Sequence, residues 1–321
     1  MYKIFITGGN GYVGRNLAQY FANKGYQIVV LIRKFDDQYH FNHSNIKVVI
    51  GSLSSIDLKK LMEGSDTLIH TAADIDHSNK SKTQWETNVV GTERVLDIAK
   101  QLNFKTFIHL SSESVLATGQ NLIQINEKTP IPKLSVGHYS KTKACAERIA
   151  QSYSSEKLRG IIIRPRMIWG RDDTTALPQL ISAVKKNQLA WIDGGHYLTS
   201  TTHILNLCYG IELALEKGIS SEIYMISDGE PIEFRSFVTS LLATKNIQAP
   251  KKEISRNLLK NIAKTFDILQ KMSFGIVHGP ITFQQYSASA VEITLDISKA
   301  EKELGYVPII SRSEGLAEIQ I

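Results

Sequence analysis

Tyr139 and Lys143 stand four residues apart in the run Tyr139-Ser140-Lys141-Thr142-Lys143, a spacing that puts a phenol and an ammonium on one face of a helix. A phenol with its ordinary pKa of about 10 is a poor base at neutral pH, but a neighbouring cation favours the phenolate. Such a pair can exchange a proton with a substrate oxygen while hydride moves at the adjacent carbon. A hydroxyl for the same oxygen is offered by Ser111-Ser112-Glu113-Ser114, at the end of a candidate strand over Thr106 to Ser111. There it would stabilise developing oxyanion charge. Spacing alone does not decide the matter, because the chain has 12 tyrosines and 37 lysines and arginines and repeats the interval at Tyr20–Lys24 and Tyr153–Lys157. The first of these falls on the helix after a glycine-rich loop and the second at a helix end, and neither follows a serine-bearing strand.

That loop, Thr7-Gly8-Gly9-Asn10-Gly11-Tyr12-Val13-Gly14, lies between a strand-like start and a helical pattern. Gly8 allows a tight turn, Gly11 lets the backbone approach a pyrophosphate, and Gly14 lets helix and strand come together. The helix that follows would aim free N–H groups and its positive dipole end at the anion. In a dinucleotide site the end of the second strand selects the cofactor, an acid binding ribose hydroxyls and a base suiting a 2′-phosphate. Here it reads Val30-Leu31-Ile32-Arg33-Lys34, with no carboxylate until Asp36. Arg33 therefore predicts NADP in preference to NAD, unless Arg33 and Lys34 are simply solvated.

The elements that must position these groups alternate β-branched runs with longer helical patterns, the signature of βαβ units. Strands are predicted at Lys3 to Thr7, Gln27 to Arg33, Ile46 to Ile50, Thr67 to Thr71, Thr106 to Ser111, Gly160 to Arg164 and Glu222 to Ile226. Helices are predicted near Tyr12 to Asn23, Ser55 to Met62, Thr83 to Leu102 and His138 to Tyr153. Beyond Pro165 come Leu177 to Asn187, Ile204 to Leu215, Phe234 to Thr244, Leu258 to Met272 and Ser298 to Leu304. The expected fold is α/β, a doubly wound parallel sheet (Rossmann fold) with a smaller, mainly helical C-terminal substrate lobe. Residues 1–165 plus about 197–226 would bind the dinucleotide, and 166–196 plus 227–321 would form the lobe.

Composition narrows the classes. The net charge of +6 would allow nucleic acid or an anionic membrane as partner, but the lysines alternate with acids along helices, as on a solvated face. No nucleic-acid partner is expected. No run of about 18 apolar residues suggests a transmembrane segment, and the start lacks the order of a secretory signal, so a cytoplasmic location is expected. Cys145 and Cys208 are too few for a disulfide framework, and scattered histidines offer no metal site.

Taken together, the motifs resemble the extended short-chain dehydrogenases/reductases, the NAD-dependent epimerase/dehydratase superfamily. TGGNGYVG from residue 7, HTAA at 70–73, NVVGT at 88–92, LSSESV at 110–115, YSKTK at 139–143 and RP at 164–165 follow the family's order and spacing over about the first 230 residues. The resemblance implies Ser112, or the adjacent Ser111, as the hydroxyl that polarises substrate, Tyr139 as acid/base, and Lys143 as partner of Tyr139 and of the nicotinamide ribose. It implies cofactor contacts from Gly8, Gly11, Tyr12, Val13, Gly14, Arg33, Ala72, Ala73, Asn88, Ser111, Tyr139, Lys143 and Pro165. One departure is Gly51-Ser52-Leu53, where many relatives carry an Asp for adenine, so that contact weakens or passes to the hydroxyl.

Family resemblance also bears on substrate. Tyr197 to Asn206 lacks the cation that many sugar-nucleotide members use for a second diphosphate. Arg164-Pro165-Arg166-Met167-Ile168-Trp169-Gly170 and the apolar Leu258 to Met272 helix are more similar to the 3β-hydroxysteroid dehydrogenase branch, which acts on apolar alcohols and ketones. Trp169 lines the pocket or serves packing, and Arg166 meets a substrate carboxylate or forms a surface pair. Beside the alcohol/ketone oxidoreductase stand an epimerase or dehydratase that regenerates its own NAD and a cofactor-sensing binding protein, because one scaffold hosts many functions. The family also implies a homodimer through the helices at Thr83 to Leu102 and His138 to Tyr153.

Overall fold

The short Ile- and Val-rich runs become parallel strands because their residues are apolar on both faces, as a sheet covered by helices on both sides requires. In the computed structural model, which describes residues 3–35, 41–79, 82–273 and 276–320, these are β1 (Lys3–Thr7), β2 (Gln27–Ile32), β3 (Ile46–Ile50), β4 (Thr67–His70), β5 (Thr106–Leu110), β6 (Arg159–Pro165) and β7 (Ile223–Ile226). Asp36 lies outside the described residues. The sheet runs β3-β2-β1-β4-β5-β6-β7, parallel throughout. Its order reverses between β1 and β4, and ligands of such sheets bind beyond the carboxyl ends at that point. Thr7 pairs with His70 there, so the loops that begin at Gly8 and Thr71 leave side by side.

Helices α1 (Tyr12–Asn23), α2 (Leu58–Met62), α3 (Gly91–Gln101) and α4 (His138–Tyr153) connect successive strands, and α5 (Ala176–Lys185) and α6 (Ile204–Lys217) lie between β6 and β7. Alternate strand residues serve the two faces. Ile4, Ile6, Val30, Ile108 and Ile163 pack with Leu17 and Phe21 of α1 and Leu207 and Ile211 of α6. Phe5, Val29, Leu31, Phe107 and Ile162 pack with α2, α3 and α4. Tyr20 and Lys24 both bond Glu212 of α6, each at 2.6 Å. That Tyr-x3-Lys pair is therefore a clamp between helices. The helix expected from Thr83 is not uniform: a π-helical turn at Glu86–Val90 precedes α3.

The remaining helices are α7 (Phe234–Ala243), α8 (Arg256–Met272), α9 (Phe283–Ser289), α10 (Ser298–Leu304) and α11 (Arg312–Gln320). With them goes a four-stranded sheet of Ile232–Glu233, Leu198–Thr199, Ile293–Leu295 and Leu122–Ile125, in that order. Among the described residues no helix is long and apolar enough to cross a membrane.

Asp228, just past β7, gathers the segment that lacks a cation. Its carboxylate accepts from the Trp169 indole at 2.7 Å, Thr201 Oγ1 at 2.7 Å, the His203 backbone N–H at 2.6 Å and Asn206 Nδ2 at 2.8 Å. Trp169 is fully buried with Leu177, Phe237 and Leu241, which decides between its two roles in favour of packing. Asp228→Ala leaves several buried donors unpaired, and each such loss costs about 1–3 kcal/mol. Urea unfolding should show a destabilisation of about 3 kcal/mol or more. A shift below about 0.5 kcal/mol would remove Asp228 from this role.

Candidate active site

The glycine loop divides into residues the fold needs and one it does not. Gly8 has φ +78°, and a Cβ there would sit 2.8 Å from both the Ala72 nitrogen and Thr71 Oγ1. A Cβ at Gly14 would lie 2.3 Å from the Gly8 oxygen. At Gly11 it would meet only that oxygen, at 3.1 Å, so packing makes the weakest demand there and the open side remains for a ligand. Gly11 caps α1 without a side chain, and the first turn holds no acid. Its unpaired N–H groups and dipole suit a pyrophosphate, and the residues present thus fit a dinucleotide. Tyr12 and Gly14 are buried and Val13 half-buried. The Tyr12 hydroxyl has no hydrogen-bond partner among the described residues, and burial, helped by Asp173, pushes its pKa up.

Asn10 Nδ2 donates to the Lys34 carbonyl at 3.1 Å, holding the turn that carries Arg33 beside the loop. Arg33 is exposed, one residue past the end of β2. The Ser52 hydroxyl lies 2.9 Å from Ser54 Oγ and 3.3 Å from Ser55 Oγ, within a local serine turn. Ala72, followed by Ala73, donates its N–H to Thr7 Oγ1 at 3.2 Å, beside Gly8. Asn88, in the π-helical turn, accepts from the Asp74 N–H at 2.7 Å and donates to the Asp74 carbonyl at 2.9 Å and to Thr142 Oγ1 at 3.0 Å. It thereby ties the loop after β4 to α4. Pro165 is the last residue of β6, paired with Ile226.

On α4, Tyr139, Lys143 and Glu147 recur every four residues, hence on one face, and all three are buried. Glu147 is fully buried and accepts from Arg164 Nε at 2.9 Å, Arg164 Nη2 at 2.5 Å and Ser111 Oγ at 2.6 Å. The proton of Ser111 is therefore committed to Glu147. Lys143 Nζ donates to the Leu110 carbonyl at 2.5 Å; burial pulls its pKa down to about 8, and Glu147 opposes this. Ser112 Oγ donates to Glu113 at 2.8 Å and accepts from the Ser114 N–H at 3.2 Å.

Tyr139 is 8 % exposed, and the His77 ring lies 4.4 Å from its own, inclined at 39°. Burial first, and then the Glu113 carboxylate, push the Tyr139 pKa up, against the hydroxyls of Ser112 and Ser114. The expected lowering by Lys143 is thus not found in the protein alone. Burial dominates, and the Lys143 ammonium donates to the Leu110 carbonyl. Arg166 also departs from both of its expected roles. It is neither at the surface nor free for a substrate carboxylate, because Nη1 pairs with Glu113 at 2.6 Å, Nε with Thr199 at 3.1 Å and Nη2 with the Ala288 carbonyl at 3.1 Å.

Behind the site, Thr7 Oγ1 bonds His70 Nδ1 at 2.7 Å, and His70 Nε2 bonds Thr92 at 2.9 Å. His109, beside it on β5, has neither ring nitrogen bonded among the described residues. Sequence reasoning missed Glu147, Glu113 and His77. Glu147 carried the one available signal, a third position on the helical face of Tyr139 and Lys143.

The chain matches the model of the NAD dependent epimerase/dehydratase family over residues 4–227. It belongs to that family. Within it the chain is 36 % identical, over 98 % of its length and 94 % of the relative's, to a 4-hydroxy-2-methyl-3-oxo-4-farnesyl-3,4-dihydroquinoline-1-oxide ketoreductase of Stigmatella aurantiaca. It is 28 % identical, over 99 % of its length and all of the relative's, to a decarboxylating sterol-4-alpha-carboxylate 3-dehydrogenase of Dictyostelium discoideum. The fold is shared with the UDP-glucuronic acid 4-epimerase of Bacillus cereus, solved with UDP-glucuronic acid and NAD (TM-score 0.76, 21 % identity, covering 99 % and 98 % of the two chains). This family member is an extended short-chain dehydrogenase/reductase, an NAD(P)-dependent oxidoreductase acting on a CH–OH group.

Burial lowers the pKa of His70 to about 3 and that of His109 well below its usual value. Both rings protonate at about 6.5 once unfolded. Below that pH the unfolded chain binds more protons, so stability falls as the pH falls. His109→Leu should lose less stability than the unaltered chain between about pH 7.5 and about pH 5, measured by urea midpoints. Equal losses would show that His109 does not carry this dependence.

Proposed function

We propose that the protein is a ketoreductase, or the reverse alcohol dehydrogenase, for an apolar ketone and its secondary alcohol, with NADP preferred to NAD. The observation that carries this reading is the Ser112 hydroxyl bonded to Tyr139, with Lys143 one turn further on the same face of α4 and donating to Leu110 at the carboxyl end of β5, beside the switch point of the sheet. In the reductive direction Tyr139 gives its proton to the carbonyl oxygen while Ser112 donates a hydrogen bond to the same oxygen. Ser112 is preferred over Ser111 because it is half-buried and bonded to the Tyr139 hydroxyl, whereas Ser111 is buried on Glu147; on substrate binding the Ser112 proton turns from Glu113 to the carbonyl oxygen. Lys143 would hold the nicotinamide ribose and offset phenolate charge. When bound, the cofactor supplies or accepts the hydride, and its oxidised ring adds a positive charge that favours the phenolate.

Gly8, Gly11, Tyr12, Val13 and Gly14 would hold the pyrophosphate, and Arg33 would take the 2′-phosphate. Ala72, Ala73, Asn88, Ser111 and Pro165 would border the rest of the cofactor. An apolar substrate is supported by the exposed apolar side chains Ile268, Leu269 and Met272 of α8 and Ile276 and Val277 after it. It is supported too by the farnesylated substrate in the name of the Stigmatella relative. We assign residues 1–165 plus about 197–226 to cofactor and 166–196 plus 227–321 to substrate, with the small mixed sheet as their seam. We place the protein in the cytoplasm as a homodimer through α3 and α4, near the exposed Trp85 and Val90.

Tyr139→Phe should lower turnover about a hundredfold or more, the usual scale of a lost general acid, with NADPH affinity nearly unchanged by fluorescence titration. Comparable turnover in the variant would overturn the assignment. Arg33→Ala should weaken NADPH by about tenfold, one charge-assisted contact, and leave NADH nearly untouched. Equal losses for both would remove the NADP preference.

A further inference from the structure

We propose that Glu113 sets the charge of the substrate, filling with the protein's own carboxylate the place at Arg166 that a substrate carboxylate would take, so that neutral ketones are accepted and oxo acids refused. This rests on the reading of Ser112 and Tyr139 as the groups that handle the carbonyl. One oxygen of Glu113 pairs with Arg166 Nη1 at 2.6 Å and the other accepts from Ser112 Oγ at 2.8 Å. A single carboxylate thus separates the guanidinium from the polarising hydroxyl. Arg166 is 4 % exposed along its side chain, and its other donors are held by Thr199 and the Ala288 carbonyl. The guanidinium is therefore fixed in position with Nη1 presented to whatever carboxylate it binds, and a charge-assisted hydrogen bond of this kind is about twice as strong as a neutral one.

Glu113 itself keeps 10 % of its side chain exposed, next to the reacting groups. Its charge is felt by Tyr139 and by His77, the ring that covers Tyr139. A substrate carboxylate bonded to the carbonyl carbon would meet this like charge at close range, and like-charge juxtaposition is a principal means of refusing a wrong partner. With Glu113 removed, the same Arg166 becomes an unpaired buried cation that attracts a carboxylate from outside.

The test uses methyl benzoylformate and benzoylformate, two ketones that differ in the charge beside the carbonyl. With NADPH the unaltered protein should prefer the ester by about a hundredfold in kcat/KM, and Glu113→Ala should cut that preference by about tenfold or more. Acetate should raise the melting temperature of Glu113→Ala saturably, and raise its activity on the ester, while doing neither for the unaltered protein. Should the alanine variant not fold, Glu113→Gln keeps the size and an acceptor for Arg166, and the ester-to-acid ratio is read on it. An unchanged ratio in a folded, NADPH-binding variant overturns the proposal, as does the absence of any acetate effect on Glu113→Ala. Failure of the unaltered protein to reduce either ketone counts against the ketoreductase reading. In that case the melting measurement with acetate alone decides the role of Glu113.

Discussion

The fully buried ion pair between Glu147 and Arg164 fixes where the reacting groups stand. Taking two charges out of water costs several kcal/mol per ion and is offset by their attraction and by the hydrogen bonds that satisfy them, although Arg164 Nη1 has no partner among the described residues. Here Glu147 receives two bonds from the guanidinium and a third from Ser111. Those partners come from the end of β5 and the end of β6, so the third turn of α4 is pinned to both strands. Lys143 and Tyr139, one and two turns back on the same face, are then turned toward the carboxyl edge of the sheet. Rotation of α4 would break the pair, and losing one partner of such a pair costs about 3–5 kcal/mol.

A second buried pair, Arg166 with Glu113, lies nearer the surface of the same site. The two pairs divide the labour. Arg164 and Glu147 orient the helix, whereas Glu113 touches Ser112 and shapes the charge around Tyr139. Behind them His70 and His109 are held neutral by burial, which leaves Lys143 as the cation set among α4, β5 and the switch point. Burial draws its pKa down, to about 8, and the Glu147 carboxylate one turn on opposes that fall.

The parallel strands and connecting helices were legible because a sheet covered on both faces demands continuous apolar runs, and β1, β2, β5 and β6 supply them. The glycine loop was legible because Gly8 and Gly14 answer to backbone contacts that no other residue could make. Side-chain partnerships across the fold were not. Arg166 looked available because nothing in its neighbourhood along the chain shows that Glu113 faces it, 53 residues away. Trp169 looked like either wall or core until Asp228 took its N–H. The strand Leu122–Ile125 escaped notice because it is short and half-exposed and pairs with Ile293–Leu295 from the other end of the chain.

Net hydride transfer between a nicotinamide and a ketone at this site is what the arrangement of Ser112, Tyr139 and Lys143 requires. The direct measurement is a fluorescence titration of the purified protein with NADPH and NADH, followed by loss of reduced-nicotinamide absorbance against steroid, long-chain and aryl ketones. Tight NADPH binding with net consumption by an apolar ketone is the predicted result. Cofactor binding without net consumption by any of these ketones would contradict it and favour an epimerase that regenerates its own cofactor.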